Sequence, residues 1–468
     1  MLRIQSIRAL SVLILCAALA GCGASSQFGS QPQNNGNSSV VLAMTDSPPS
    51  LVTILSAQVT LTGATLTPGN ISLFSGSTTV ELTRLQTDIA YLATATSIPA
   101  GNYTAVTLTF ANPLLTIEND TPSAIGTCQV GSICTMVPTA TANLSTTVPL
   151  TAFTIASAST TGLLIDVNLD NLLSTSLGAD FSVGTTVTPF TPAGAGVPLA
   201  GAEDVVGQVG NINASNNAFT LTNATGSYTL KVGSNSTFFQ FPQVVCSAPG
   251  FGCLQSNQIL SVDIGIQSDG SIVARNLLFE DADSSDAEVE GMITSTNVGS
   301  QQFNIVVQSI SSGNTGLTIG EPITVQYSTP PQTTFDVDFT HADNLQVVTT
   351  GLFAAPADLV VGQQVSIRRS SGSNIVMADR VRLRSSRITG TVQQLGAPNI
   401  YLSVPSVISG HGVTQIQAQT STPTIYFEIG RTIVISDIGL GIPVSVRGPL
   451  FNSSGVTRPL VATRVVLK

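Results

Sequence analysis

The chain has 468 residues and a net charge of −10, from 16 basic and 26 acidic side chains, so its length allows roughly three domains of about 150 residues. Hydrophobic residues make up 42% and mean hydropathy is +0.35, which excludes a wholly disordered chain. Only 9% is charged, so hydroxyls and amides must cover the surface; the acidic balance disfavours general nucleic-acid binding, and two His with no Trp exclude catalysis by a histidine cluster.

At the N-terminus Arg3 and Arg8 precede the apolar run from Ala9 to Ala20. That run is too short to span a bilayer as a stable helix and has the layout of a secretory signal. It closes on Leu19-Ala20-Gly21-Cys22, which resembles the bacterial lipobox. The resemblance implies cleavage before Cys22 and attachment of a lipid to its thiol; an ordinary secretory peptide with an incidental Cys22 is the alternative. No Asp follows Cys22, which points to an outer rather than an inner membrane. Residues 1–22 are therefore read as signal and lipobox, and residues 23–39, rich in Ser, Gln, Asn and Gly, as a flexible tether.

Beyond residue 40 no window sustains a helical stripe for three turns, whereas short Val, Ile, Leu and Thr runs recur to the end. Leu85 to Ala95 is the one place left for a short helix. Val106, Leu108 and Phe110 alternate with Thr107 and Thr109, and Ile165, Val167 and Leu169 alternate with Asp166, Asn168 and Asp170. Period two predicts half-buried antiparallel sheets and an all-β fold: a β-sandwich-like domain over residues 40–185, then a linker at 186–202. Two close cysteine pairs, Cys128 with Cys134 and Cys246 with Cys253, predict short-loop disulfides in an exported chain. Zinc would want tighter spacing.

After the linker the chain repeats itself. Val206-Gly207-Gln208 returns around Gly291 and Gly390, with large apolar residues twelve positions later at Phe219, Phe303 and Leu402. A later Val-x-Ile or Val-x-Val strand precedes closing strands that begin at Ala274, Ala378 and Ala462. Three tandem small β-barrel-like repeats follow, over 203–285, 286–385 and 386–468, because closure removes the exposed edges of so uncharged a chain.

Thr45-Asp46-Ser47-Pro48, the strand from Ser56 to Leu61, and Ile98-Pro99-Ala100-Gly101 leading into Val106 resemble the domain of unknown function 4382 of bacterial lipoproteins. The three repeats resemble the domain of unknown function 5666, whose pattern sets Val-Gly before the penultimate strand. Val361-Gly362 keeps it best, and Ile259-Leu260 stand in its place in the first repeat. Neither resemblance implies an activity.

Candidate chemistry is sparse. Asp46, Asp166 and Asp170 are candidate carboxylates for calcium or acid–base work, with solvation the simpler account. The acidic run Glu280 to Glu290 reads as a solvated linker, or as a calcium-stiffened hinge, at a repeat junction. His341 and His411 stand in separate surroundings. Arg380, Arg382, Arg384 and Arg387, with Arg368 and Arg369, form a basic cluster that would meet acidic glycans or lipid headgroups, or be neutralised by neighbouring acids. Residues 23–200 hold one Arg and eight acids, whereas residues 386–468 hold six basic and two acidic residues; this polarity would orient the molecule away from an anionic membrane surface or set head-to-tail contacts between molecules. The reading is of a non-enzymatic, lipid-anchored protein of the bacterial envelope, without cofactor or metal, at the outer membrane. Its role is structural, adhesive or protein-binding, with envelope proteins or surface glycans as partners and no nucleic acid. The alternative is a carbohydrate or small-ligand binding module, for which a concave face bearing Tyr91, Tyr327 or Tyr426 beside amides is the mark.

Overall fold

The computed structural model describes residues 38–47, 53–137, 144–172, 180–192, 201–223, 226–233, 237–282, 288–310, 316–338, 353–369, 376–404, 406–421, 424–428 and 431–467. Cys22, its signal segment and nearly all of the tether lie outside these residues.

The first nine strands are β1 (Ser38–Ser47), β2 (Thr53–Thr67), β3 (Ile71–Glu81), β4 (Ala90–Ile98), β5 (Gly101–Glu118), β6 (Ile133–Met136), β7 (Ser145–Ile155), β8 (Thr160–Asn168) and β9 (Thr185–Phe190). They form two sheets, ordered β4-β1-β8-β9 and β3-β2-β5-β6, with β7 also paired to β5. Alternate residues of each sheet point into a shared core: Val40, Leu42 and Met44 of β1, Val106, Leu108 and Phe110 of β5, and Leu163, Ile165 and Val167 of β8. This is the sandwich-like arrangement that period-two strands produce.

The alternation does not run to Asp170. Strand β8 ends at Asn168, whose side-chain oxygen accepts the backbone N–H of Asn171 at 3.1 Å and starts a single helical turn, Leu169–Leu172. Such an Asx contact competes with the ladder and stops the strand. No helix occupies Leu85 to Ala95: a 3-10 turn, Leu82–Gln86, capped by Glu81, ends at its start, and from Ala90 onward the segment is strand β4.

Six strands follow: β10 (Gly201–Asn213), β11 (Ala218–Asn223), β12 (Gly226–Val232), β13 (Phe238–Gln240), β14 (Ile259–Ile266) and β15 (Ile272–Asp281). Their order is β12-β11-β10-β14-β15-β13, and β12 pairs β15 in parallel at Lys231 and Val232. That last pairing closes a small barrel around Phe219, Leu221, Leu230, Val262, Ile264 and Leu277. The sandwich residues Val41, Ala43, Ile89 and Leu164 join the same core, so the outer face of the β4-β1-β8-β9 sheet is covered by the barrel.

The remaining strands are β16 (Glu288–Asn297), β17 (Gln302–Ile310), β18 (Pro322–Tyr327), β19 (Thr334–Val337), β20 (Gln364–Arg369), β21 (Val376–Gly396), β22 (Asn399–Leu402), β23 (Gln415–Gln419), β24 (Ile425–Glu428), β25 (Arg431–Thr432), β26 (Pro443–Pro449), β27 (Thr457–Val461) and β28 (Arg464–Leu467). All belong to one 13-stranded sheet. Its first path, β18-β17-β16-β20-β21, returns on itself where β18 pairs β21. The long β21 then pairs β26 over Ser385 to Thr391 and β22 over Val392 to Gly396. The expected boundary at 385/386 falls inside this uninterrupted strand.

Three local contacts occur three times each. A Cβ on Gly207, Gly291 or Gly390 would stand under 3.0 Å from the carbonyl oxygen of Thr222, Val306 or Ser403 on the adjoining segment. The hydroxyls of Thr237, Thr333 and Thr424 donate to the carbonyls of Ala274, Ala378 and Ala462 at 2.6, 2.7 and 2.7 Å. Asn257, Gly362 and Gly441 take the left-handed conformation, and their N–H groups donate to the carbonyls of Val209, Ile293 and Val392. In the first of these segments the left-handed position is therefore filled by Asn257 and not replaced by Ile259-Leu260, since Asn tolerates that conformation at little cost.

Both disulfides are formed, Cys128–Cys134 and Cys246–Cys253, each with 5.8 Å between Cα atoms. The first ties the loop after β5 to β6. The second braces the loop between β13 and β14.

Candidate functional site

The strongest concentration of charge is buried where the sandwich, the barrel and the 13-stranded sheet meet. Glu81, at the end of β3, is almost fully buried; its carboxylate accepts from Ser56 Oγ at 2.6 Å, Ala57 N at 2.8 Å and Thr83 Oγ1 at 2.7 Å. Burial pushes its pKa up, and these hydrogen bonds pull against that. By capping the 3-10 turn, Glu81 fixes the segment that carries Arg84 and Asp88. Asp88 is buried among three arginines of the C-terminal strands. Its Oδ1 receives Arg464 Nη1 at 2.7 Å, and its Oδ2 receives Arg387 at 2.9 Å and lies 3.8 Å from Arg447 Nε. Burial alone would raise its pKa, but Arg447, Arg387 and Arg464 together hold it well below the usual carboxylate range.

The cluster continues on both sides. Arg447 also pairs with Asp204 of β10, and Arg84 reaches Glu290 of β16 at 2.9 Å. Glu290 is held below its ordinary value because Arg84, Arg384 and Arg387 outweigh its burial. A cavity of about 90 Å³ lies alongside, lined in part by Glu81, Arg84, Asp88 and Arg387.

A second knot joins β15, β16 and β21. Arg380, Arg382 and Arg384 lie on one face of β21, and all three reach the fully buried carboxylate of Glu280. Arg380 also meets Glu288 at 3.1 Å, Arg382 meets Asp336 at 2.6 Å, and Arg384 meets Asp338. Arg384 is itself fully buried, and although burial disfavours its charge, Glu280 and Asp338 raise its pKa well above the ordinary arginine value. Desolvated charges persist only when paired in this way.

These contacts revise two expectations. Of the described acidic residues of the run, Glu280, Glu288 and Glu290 are buried and Asp281 is half-buried, and each faces an arginine, so they are neither a solvated linker nor ligands of a calcium hinge; residues 283–287 of the run lie outside the described residues. Arg380, Arg382, Arg384 and Arg387 of the basic cluster are largely buried and paired with acids inside the fold, so they do not form a surface for glycans or headgroups. Arg368 pairs with Asp379 at 2.8 Å and Asp281 at 3.4 Å. Asp88 of the acidic N-terminal region meets Arg387, Arg447 and Arg464 of the basic C-terminal region inside the fold, although Asp88 and Arg464 are 376 positions apart.

The other sequence candidates do not converge. Strands β1 and β8 run parallel with Thr45 opposite Asp166 and Asp46 opposite Val167. Asp46 and Asp166 therefore point to opposite faces of the sheet. The Asp170 side chain and His341 lie outside the described residues. His411 is exposed and lines a groove of about 440 Å³ with Glu118, Thr294, Asn304 and Thr324. Burial, together with nearby Asp120, pushes the Glu118 carboxyl up to about 7. Among the described residues no three His, Cys, Asp or Glu side chains are grouped to hold a metal, and no helix is long and apolar enough to cross a membrane.

Of the three tyrosines marked for inspection, Tyr327 is buried in the core at 1% exposure, and the Tyr426 side chain lies outside the described residues. Tyr91 does line a groove, of about 990 Å³, where it is joined by Tyr228 from the barrel. Sequence reasoning missed Tyr228, whose proximity to Tyr91 depends on how the barrel seats against β4.

Residues 37–194 match the family described as a domain of unknown function, DUF4382. No curated protein matches the chain. Among solved structures, a multidomain protein with nucleic acid binding domains from Streptococcus pneumoniae is similar at 11% identity, over 55% of this chain and 72% of that one, with a TM-score of 0.12. So low a TM-score does not imply a shared fold.

Proposed function

We propose that a domain of the DUF4382 family and three copies of one small β-module are combined here in a non-enzymatic envelope lipoprotein, anchored through Cys22 and acting as a rigid scaffold for adhesion or protein interaction. The observation that carries the scaffold reading is the buried charge junction. Asp88, Asp204, Glu280 and Glu290 meet seven arginines, most of them from distant segments, so in a chain with so few charges this chemistry is committed to holding modules together. Three supports favour three module copies: the glycine approach at Gly207, Gly291 and Gly390, the hydroxyl bonds to Ala274, Ala378 and Ala462, and the left-handed residues Asn257, Gly362 and Gly441. They also favour the resemblance to the domain of unknown function 5666. The lipobox-like Leu19-Ala20-Gly21-Cys22 and two disulfides suit an oxidising envelope compartment, with the outer membrane as the site of anchoring.

Two measurements test this. Cys22→Ala should move the protein from the detergent-extracted membrane fraction to the soluble one, and continued membrane retention would refute the anchor. Scanning calorimetry of residues 23–468 should show one cooperative transition, because the modules share buried charges. Separate transitions for the N-terminal and C-terminal parts would overturn the rigid body.

A further inference from the structure

The groove that holds Tyr91 and Tyr228 runs between β4, the edge strand of the four-stranded sheet, and the barrel strands β11 and β12 with the β14–β15 turn. The two rings come from different modules and both pack partly against the barrel core. Their polar neighbours in the groove include the hydroxyls of Thr94, Thr229 and Ser271 and the amide of Asn216, beside apolar Leu92, Ala218 and Ile272. Its charged lining residues, Lys231 and Asp269, are 3.7 Å apart and neutralise each other.

The groove is built rather than left over between modules. Tyr91 Oη donates to Thr94 Oγ1 at 3.0 Å, and Thr94 Oγ1 donates in turn to the carbonyl of Gly270 at 2.5 Å. Gly270 has φ +79°, and a Cβ there would strike Thr94, so the close seating of the turn on β4 needs glycine. The ring of Tyr91 is thereby held in place before any ligand arrives, which reduces the ordering cost of binding.

Concave sites of this size that combine aromatic surface with a few fixed polar groups bind small organic ligands. Tyrosine rings give flat apolar faces with a polar tip; Asn216 and Thr229 both donate and accept, while the hydroxyls of Thr94 and Ser271, already donated to Gly270 O and Asp269 Oδ1, accept from a ligand. With Lys231 set against Asp269 the lining has no net charge, so it offers a sulfated polymer or an acidic peptide no electrostatic advantage over a neutral ligand. We infer that this groove is a binding site for a neutral oligosaccharide, whose apolar ring faces lie on Tyr91 and Tyr228 while its hydroxyls meet Thr94, Asn216, Thr229 and Ser271. The inference needs neither the lipid anchor nor the scaffold role.

The test uses the chain from residue 23 to 468, titrated by calorimetry with maltohexaose, cellohexaose, mannohexaose and chitohexaose. Tyrosine fluorescence is a second readout, since the chain has six Tyr and no Trp. At least one hexasaccharide should bind with one-to-one stoichiometry. Tyr91→Ala and Tyr228→Ala should each weaken it by about tenfold, the scale of one aromatic contact, and Thr229→Arg at the exposed mouth should abolish it. Tyr228→Phe should keep most of the affinity, and Tyr401→Ala, on β22, should leave it unchanged. If Tyr91→Ala does not fold, the Tyr228 and Thr229 variants still decide the matter. Absence of binding by all four sugars at millimolar concentration would overturn the inference. So would binding indifferent to Tyr228→Ala and Thr229→Arg, or a preference for oligogalacturonate, which is anionic, over every neutral hexasaccharide.

Discussion

Replacing Asp88 by Asn removes one negative charge and almost no volume, yet it should be among the most damaging single substitutions in the protein. Asp88 Oδ1 and Oδ2 face Arg464 at 2.7 Å, Arg387 at 2.9 Å and Arg447 at 3.8 Å. With charge centres roughly 4 Å apart and an effective dielectric constant of about 20, each pair is worth about 4 kcal/mol of attraction, about 12 kcal/mol for the three. Desolvating four ions costs several kcal/mol apiece, so the assembled cluster contributes little net stability. Removal of the one anion is not symmetrical with its assembly, because three guanidinium groups stay buried with too little counter-charge. The expected loss is about 3–5 kcal/mol, read as a shift in the urea midpoint at unchanged slope. The folded-state pKa of Asp88 is depressed, so its contribution is complete above the unfolded carboxylate value of about 3.9 and lost as pH falls through the folded value. The gap between native and variant should therefore be constant from pH 7 to about pH 5 and close only at lower pH. Arg464→Met in the Asp88→Asn background should recover part of the loss by removing a stranded cation. A loss below about 1 kcal/mol, or a double variant weaker than the single by the full cost of losing Arg464, would refute the reasoning.

Two further expectations concern other parts of the fold. Gly291→Ala places a Cβ against the carbonyl oxygen of Val306; backbone cannot yield as a side chain can, so a loss of about 3 kcal/mol or more is expected by chemical denaturation, and a neutral result would remove the steric account of this glycine. Glu118 has its folded pKa raised from 4.5 to about 7, so its ionisation costs stability progressively as pH rises from about 4.5 to 7. Glu118→Gln should be more favourable relative to the native protein at pH 8 than at pH 5, and equal differences at the two pH values would show that the carboxyl titrates normally.

Much of the architecture was legible because it rests on local pattern. A period of two assigns Val106, Leu108 and Phe110 to one face whatever the partner strand is, and sequence separations of six and seven bring Cys128 to Cys134 and Cys246 to Cys253 with little choice of mate. Gly207, Gly291 and Gly390 stood out by recurrence, although the reason, a neighbouring carbonyl where a side chain would be, is visible only in the fold. The threonines at 237, 333 and 424 escaped notice, since a single Thr in so Thr-rich a chain carries no signal until its hydroxyl is seen on an alanine carbonyl.

The sequence by itself determined that this chain is all-β, where its short loops are stapled, and that its few charges are segregated along its length; it did not foresee that β8 pairs β1 in parallel. It could not determine what the charges face. An isolated alternation such as Arg380, Arg382 and Arg384 is equally consistent with a wet surface and a buried interface, because side-chain period specifies a face of the strand and not what covers it. Only the tertiary structure, by folding β21 and β28 back onto the segment that carries Asp88 and onto Glu280, turned a surface patch into a set of buried ion pairs. The same step placed Tyr228 across a groove from Tyr91. Both outcomes depend on contacts between residues far apart in the chain, 102 positions for Arg382 and Glu280 and 376 for Asp88 and Arg464, and the side-chain pattern of a single strand contains no term for them.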